Sequence, residues 1–200
     1  MGNMEALYNT WKAIGVSGGD LSFFQNFFVK FYQAFIEADR WLQYLNGVKT
    51  TLLVTALALI LGVALGVTVA ILRTAHDQQR PGHRNPVLAV LNLVCKIYVT
   101  VIRGTPMMVQ LLIMGFVIFA SSRNFTMIGT LTLGINSGAY VSEIVRGGLM
   151  SVDKGQMEAG RSLGLGYGTT MRFVIVPQAV KAILPALGNE FIVLLKDTSL

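Results

Sequence analysis

Eight polar or acidic side chains sit inside apolar runs of this 200-residue sequence: Gln110, Asn136, Ser137, Tyr140, Ser142, Glu143, Asn189 and Glu190. Such groups are costly in lipid and face a cavity or another helix when they occur there. They are the candidate lining of a path for a polar solute. Asn136 and Ser137 serve equally well as hydrogen-bonding glue between helices, and Tyr140 as packing. Glu143 and Arg146 lie three residues apart, on one helix face, so they either pair with each other or meet a solute. Other chemistries lack their parts. Cys95 has only His76 and His83 as further soft ligands, and the two histidines share one polar loop. The sequence holds no G-x-x-x-x-G-K-[ST] phosphate cradle, so any ATP is used by a partner. No nucleophile–base or metal constellation accompanies the two glutamates, which argues against an enzyme.

The elements that hold these residues are membrane elements. Residues of the AVILMFWYC set make up 53% of the chain and charged residues 13%, against roughly 25% charged in soluble domains. Thr50 to Leu72 is free of charge, and at about 1.5 Å per residue it spans about 34 Å, enough for a bilayer core of about 30 Å. Gly62 and Gly66 within it form a GxxxG, a weak sign of close helix approach. A second span is expected from Arg103 to Arg123, extended at its start by an amphipathic helix over 86–102, with Pro106 at a helix start or kink. The run from Asn124 to Ser142 gives a third span and Phe173 to Leu195 a fourth. Ahead of them, residues 1–20 read as loop or frayed helix. Phe24, Phe27, Phe28 and Phe31 then predict a helix with one aromatic face suited to the membrane interface. The domains are thus an extracytoplasmic segment 1–46 and a membrane domain 47–200.

Arginine and lysine concentrate in loops 73–85 and 146–172, which places both in the cytoplasm and the N-terminus outside. The net charge of +6 therefore speaks for orientation and not for nucleic acid. Within the second loop, Asp153 is placed to cap a short helix ending near Leu163, and Gly164 to stop it in a left-handed conformation. Thr169 or Thr170 would cap the helix that re-enters the membrane. Glu158 and Arg161 would be exposed, with Ala159 and Gly160 small enough to let a partner's groove come close.

Glu158-Ala159-Gly160, Gly164 and Val174-x-Val176-Pro177 reproduce the spacing Glu-Ala-Ala, three residues, Gly, nine residues, Ile-x-Leu-Pro. This resembles the EAA loop of ABC-importer permeases, with Gly for the second Ala and Val for Ile and Leu. Arg103-Gly104-Thr105-Pro106 with Gln110, Asn136-Ser137-Gly138-Ala139-Tyr140 with Glu143 and Arg146, Lys154-Gly155-Gln156, Gly188-Asn189-Glu190 and Leu195-Lys196-Asp197-Thr198-Ser199-Leu200 resemble the polar amino-acid branch of that family.

The resemblance implies an all-α integral membrane bundle of the type I importer kind, with about four of five core helices present and the C-terminus incomplete. It implies a permease subunit in the cell membrane that binds no cofactor itself. ATP and magnesium would sit on partner ATPase subunits, docked on a coupling helix formed by Glu158, Ala159, Gly160, Arg161 and Gly164. A second permease subunit, identical or not, and an extracytoplasmic substrate-binding protein complete the assembly. Gln110, Asn136, Ser137, Tyr140, Glu143, Asn189 and Glu190 are then pathway candidates, and Arg103, Pro106, Arg146 and Pro177 structural or gating ones. Arg103 is either a snorkelling anchor or a tie to the coupling loop. An amino acid needs acceptors for its ammonium and donors for its carboxylate together, with Glu143 or Glu190 for the first and amides or Arg146 for the second. The competing readings are an ion-gradient-driven carrier, whose uptake would survive loss of the ATPase, and a membrane scaffold in which Glu158 is dispensable.

Overall fold

The computed structural model describes residues 2–79 and 85–199. Arg80, Arg84 and His83, which enter the orientation and metal arguments, lie outside those residues, as does Leu200. The chain divides into two compact units, Met1–Thr50 and Thr51–Leu200.

The first unit opens with α1 (Gly2–Val16), where the sequence predicts loop or fraying, and α2 (Phe23–Phe35). Partner surface decides the matter. Tyr8 stacks on Tyr32 at 4.3 Å between ring centroids, and Trp11 meets Phe28 edge-on at 5.3 Å. Aromatic pairs of this kind supply helix stability that weak local periodicity does not. The Tyr8 hydroxyl and the Lys12 ammonium both donate to Glu37 Oε1, at 2.9 and 2.8 Å. Ala38 and Asp39 take left-handed backbone angles (φ 54° and 53°) as the chain turns into α3 (Arg40–Asp77). The other side of α2 leaves Phe23, Phe24, Phe27, Phe31 and Phe35 exposed.

The second unit contains the rest of α3, then α4 (Pro86–Gly104), α5 (Met107–Ile113) continued by a π turn at Met114–Ile118, and α6 (Phe125–Met150). After it come α7 (Lys154–Ser162), α8 (Tyr167–Thr170), a π turn at Met171–Ile175 and α9 (Val176–Asp197). Among the described residues, three helical stretches are long and apolar enough to cross a membrane: Glu37–Asp77, Pro86–Gly104 and Tyr167–Asp197. This corrects the second expected span. The 86–104 stretch is itself of spanning length, and the helix breaks where a single span from Arg103 to Arg123 was expected. Pro106 has no N–H and disfavours helical geometry at Thr105, which is extended (φ −114°, ψ 138°). Pro106 then caps α5, the helix start the sequence proposes.

Helix α6 lies at the centre. Leu133 packs with Val54 and Ala58 of α3 and Leu194 of α9. Tyr98 of α4 donates to the Ile135 carbonyl at 2.5 Å. The GxxxG proves to be a packing seam: a Cβ at Gly62 would stand 2.7 Å from Ser137 Oγ, and one at Gly66 would stand 2.6 Å from the Val141 Cβ. Gly148 accommodates Ile183 of α9 in the same way. Ordinary lipid cannot drive helices together by apolar burial, so small residues and close backbone approach carry the association.

Candidate functional site

The break between α4 and α5 creates the first candidate site. Gln110, one turn into α5, is buried and turns back on the end of α4. Its Nε2 donates to the carbonyls of Ile102 (2.8 Å) and Thr105 (3.1 Å) and to Thr105 Oγ1 (2.8 Å). Its Oε1 accepts from Asn136 Nδ2 at 3.0 Å. Carbonyls left unpaired by the break are thereby satisfied, as buried backbone at membrane depth requires. Gln110 is thus committed to the break, while Asn136 is oriented by it.

Beside this network lies a cavity of about 470 Å³, within the ~300–1,000 Å³ range of small-molecule sites. The segment Arg103–Met107 forms one wall. Asn136 and Tyr140 of α6 form another, and Glu190, Val193, Leu194 and Asp197 of α9 a third. Glu190 is 8% exposed and Asn136 9%. The Arg103 guanidinium sits over the Tyr140 ring, 5.1 Å from its centroid, a cation–π contact that fixes a positive charge at the cavity. The lining therefore offers a cation, two carboxyl groups and an amide around one volume. Non-helical backbone at membrane depth is tolerated where it lines a cavity, as it does here.

The sequence-predicted candidates divide. Asn136, Tyr140 and Glu190 meet at the cavity, joined by Arg103 and Pro106, which were expected to serve structural or gating tasks. Ser137 is fully buried against Gly62, and its hydroxyl has no hydrogen-bond partner among the described residues. Asn189, one residue from Glu190, is on the exposed face of α9. Glu143 and Arg146 do not pair with each other. Glu143 accepts from Arg73, and Arg146 donates to Asp77, both on α3. Asp197 and Thr105 were missed as cavity residues. Asp197 was findable, because it lies seven residues, two helical turns, beyond Glu190 and so on its face.

The second candidate site is α7 and its flanks. The Asp153 side chain accepts from the Gly155 N–H at 2.6 Å, the cap the sequence predicts. At the other end Gly164 has φ 78°, its N–H donates to the Arg161 carbonyl, and the Leu165 N–H donates to the Gly160 carbonyl, a Schellman stop. Glu158, Ala159 and Arg161 are exposed. Gly160 is not. A Cβ there would stand 2.5 Å from Thr170 Cγ2, so its smallness serves packing within the chain and does not face a partner. The re-entering helix starts at Tyr167 with Gly166 as its cap, three residues before Thr169, the nearer of the two threonines expected there. Pro177 stands at the start of α9, directly after the π turn at Met171–Ile175. Glu158 and Arg161 border a groove of about 480 Å³ that Thr74, Gln78 and Tyr167 also line.

Residues 87–200 match the family model described as binding-protein-dependent transport system inner membrane component. The chain is 37% identical over 163 residues to the glutamine transport system permease protein GlnP of Escherichia coli K12, covering 78% of this chain and 68% of that one. It is 38% identical over 165 residues to the arginine transport system permease protein ArgU of Corynebacterium glutamicum, covering 75% of this chain and 49% of that one. Its fold is similar to the crystal structure of an amino acid ABC transporter with histidines, with a TM-score of 0.64, 41% identity, and coverage of 79% and 73%. It also resembles the inward-facing MetNI methionine ABC transporter at a TM-score of 0.61 and 24% identity, which speaks for the fold alone.

Proposed function

This chain belongs to the family of binding-protein-dependent transport system inner membrane components, as the permease subunit of an ABC importer, and from that premise we propose that its cargo is a polar amino acid held at the Arg103–Asn136–Glu190–Asp197 cavity. The mixed charge of that lining carries the proposal. A zwitterion needs carboxylates for its ammonium and donors for its carboxylate, and one volume presents both. The glutamine, arginine and histidine in the names of its relatives have this backbone in common.

Family membership brings an ATPase and a substrate-binding protein as partners. ATP and magnesium are bound on the ATPase, which docks on α7 through Glu158 and Arg161 from the cytoplasm. Two permease subunits pair in the assembly. α7 follows the C-terminal end of α6 and packs through Gly160 against Thr170 of α8, which leads by the π turn at Met171–Ile175 into α9, so a push on α7 reaches two of the helices that line the cavity. The test is reconstitution with the cognate ATPase and binding protein, followed by uptake of labelled glutamine, arginine and histidine. Uptake of one of them should require ATP and fall about tenfold or more in Glu190→Gln, the loss of one charged contact in a dry site. Uptake that persists without the ATPase and collapses with an uncoupler would mark an ion-driven carrier instead.

Residues 1–46 form an extracytoplasmic interfacial segment, with the exposed phenylalanines of α2 as its lipid-facing side. Their opposite face is already used against α1, and aromatic side chains favour the headgroup boundary. A single tryptophan at Phe27, with Trp11 and Trp41 replaced by Phe, should be quenched by lipids brominated high on the acyl chain in nanodiscs. Emission insensitive to brominated lipid would place this face elsewhere.

A further inference from the structure

We infer that the end of α3 forms a bracket around α7, through which ATPase docking moves α3 and α6 as one body; this rests on the reading of α7 as the coupling helix. The observation is a set of three contacts made by one helical end. Arg73 donates to Glu143 and Arg146 donates to Asp77, both before α7 in the chain. Tyr167 donates to Gln78 just after it. The first two contacts join α3 to α6, and the third joins Gln78, the residue that follows α3, to α8.

The spacing makes the two ion pairs a matched set. Arg73 and Asp77 stand four residues apart on α3, and Glu143 and Arg146 three apart on α6, so each pair shares one helix face. Charge order is opposite on the two helices, cation then anion against anion then cation. Side by side in the same direction, that order gives two attractions. A rotation or slide of one helix past the other would oppose like charges. The Arg73 side chain is 14% exposed and the Glu143 side chain 32%, so the inner pair is partly shielded from water and from salt. Gly62 and Gly66 hold the same two helices close two to three turns earlier. The seam and the ion pairs together leave α3 little freedom relative to α6. Tyr167 closes the bracket on the far side of α7, so displacement of the loop between Arg146 and Tyr167 is delivered to α3 at both of its flanks. These four charged residues are positioning residues. None touches the cavity lining around Glu190.

The experiment uses the complete permease reconstituted with its ATPase and binding protein, reading amino acid taken up per ATP hydrolysed. Glu158→Lys serves as the control for the coupling helix itself. Glu143→Arg gathers three cations and should lower the uptake-to-hydrolysis ratio about tenfold. Arg73→Glu combined with Glu143→Arg should restore it to within about threefold, because the swapped pair recreates the attraction. Loss of mere structure would lower assembled protein and leave the ratio unchanged. Should Glu158→Lys couple normally, the reading of α7 fails. Should Glu158→Lys uncouple while the double swap is no better than the single variants, the bracket fails. A second measurement needs no charge change. Gln78→Cys and Tyr167→Cys in a Cys95→Ser background, joined by a short bismaleimide, should retain uptake, since the two positions travel together. Arrest of uptake by that link would overturn the proposal.

Discussion

Glu158→Lys is expected to insert and assemble in the membrane as the unaltered chain does, while substrate-stimulated ATP hydrolysis and uptake fall by about two powers of ten or more. The fold tolerates the change because Glu158 is exposed and its side chain makes no hydrogen bond or ion pair among the described residues. The helix under it is held by other groups: the Asp153 cap, the Gly164 stop and the Gly160–Thr170 contact. What changes is the charge offered to a docking ATPase. Reversing a charge that is desolvated at an interface costs roughly 2–5 kcal/mol, which corresponds to about 30- to 5,000-fold in a binding constant. Co-purification of the ATPase with the tagged permease measures the docking directly. Undiminished recovery of the ATPase together with normal uptake would sink the assignment of α7 as the coupling helix.

Gly66→Leu is expected to remove most correctly assembled protein. The wild-type residue lies on α3 where a Cβ would stand 2.6 Å from the Val141 Cβ and 2.9 Å from the Gly138 carbonyl oxygen. The second contact is backbone and has no rotamer to retreat into. Overpacking a close seam costs about 1–3 kcal/mol or more, and here it would force α3 off α6. Gly47→Leu on the same helix is the control, since no atom lies within 4 Å of a Cβ there, and leucine is the better helix former by roughly 1 kcal/mol. Size-exclusion profiles of the detergent-extracted variants decide the matter. A monodisperse Gly66→Leu peak of wild-type height would show that the seam is slack.

Helix α7 was legible in the sequence nearly to the residue, because its boundaries are set locally. An aspartate cap and a left-handed glycine act through bonds of two to five residues. What lay beyond such reach was misread. Gly160 and Ala159 are equally small in a sequence, yet only one points inward, and the pointing is set by Thr170 ten residues on. Glu143 and Arg146 have the spacing of a pair, but the Arg73 and Asp77 partners lie about seventy residues earlier, and periodicity on one helix is silent about its neighbour. Gln110 stood out as a polar residue in an apolar run. Its task of satisfying carbonyls five and eight residues back becomes visible only once the helix is seen to break. Helix α1 reads as loop or frayed helix in the sequence for a related reason: its stability comes from the rings of α2 and not from its own pattern.

The contact between Gly160 and Thr170 bears on how this loop could be exchanged with that of another permease. The helix and the turn after it share one tight internal volume, so positions 160 and 170 behave as a single size-matched unit. A graft that brings in alanine at 160 must carry a smaller residue at 170 along with it. The natural cassette for a chimera therefore runs from Asp153 through Thr170, and one cut at Gly164 would divide a lock from its key.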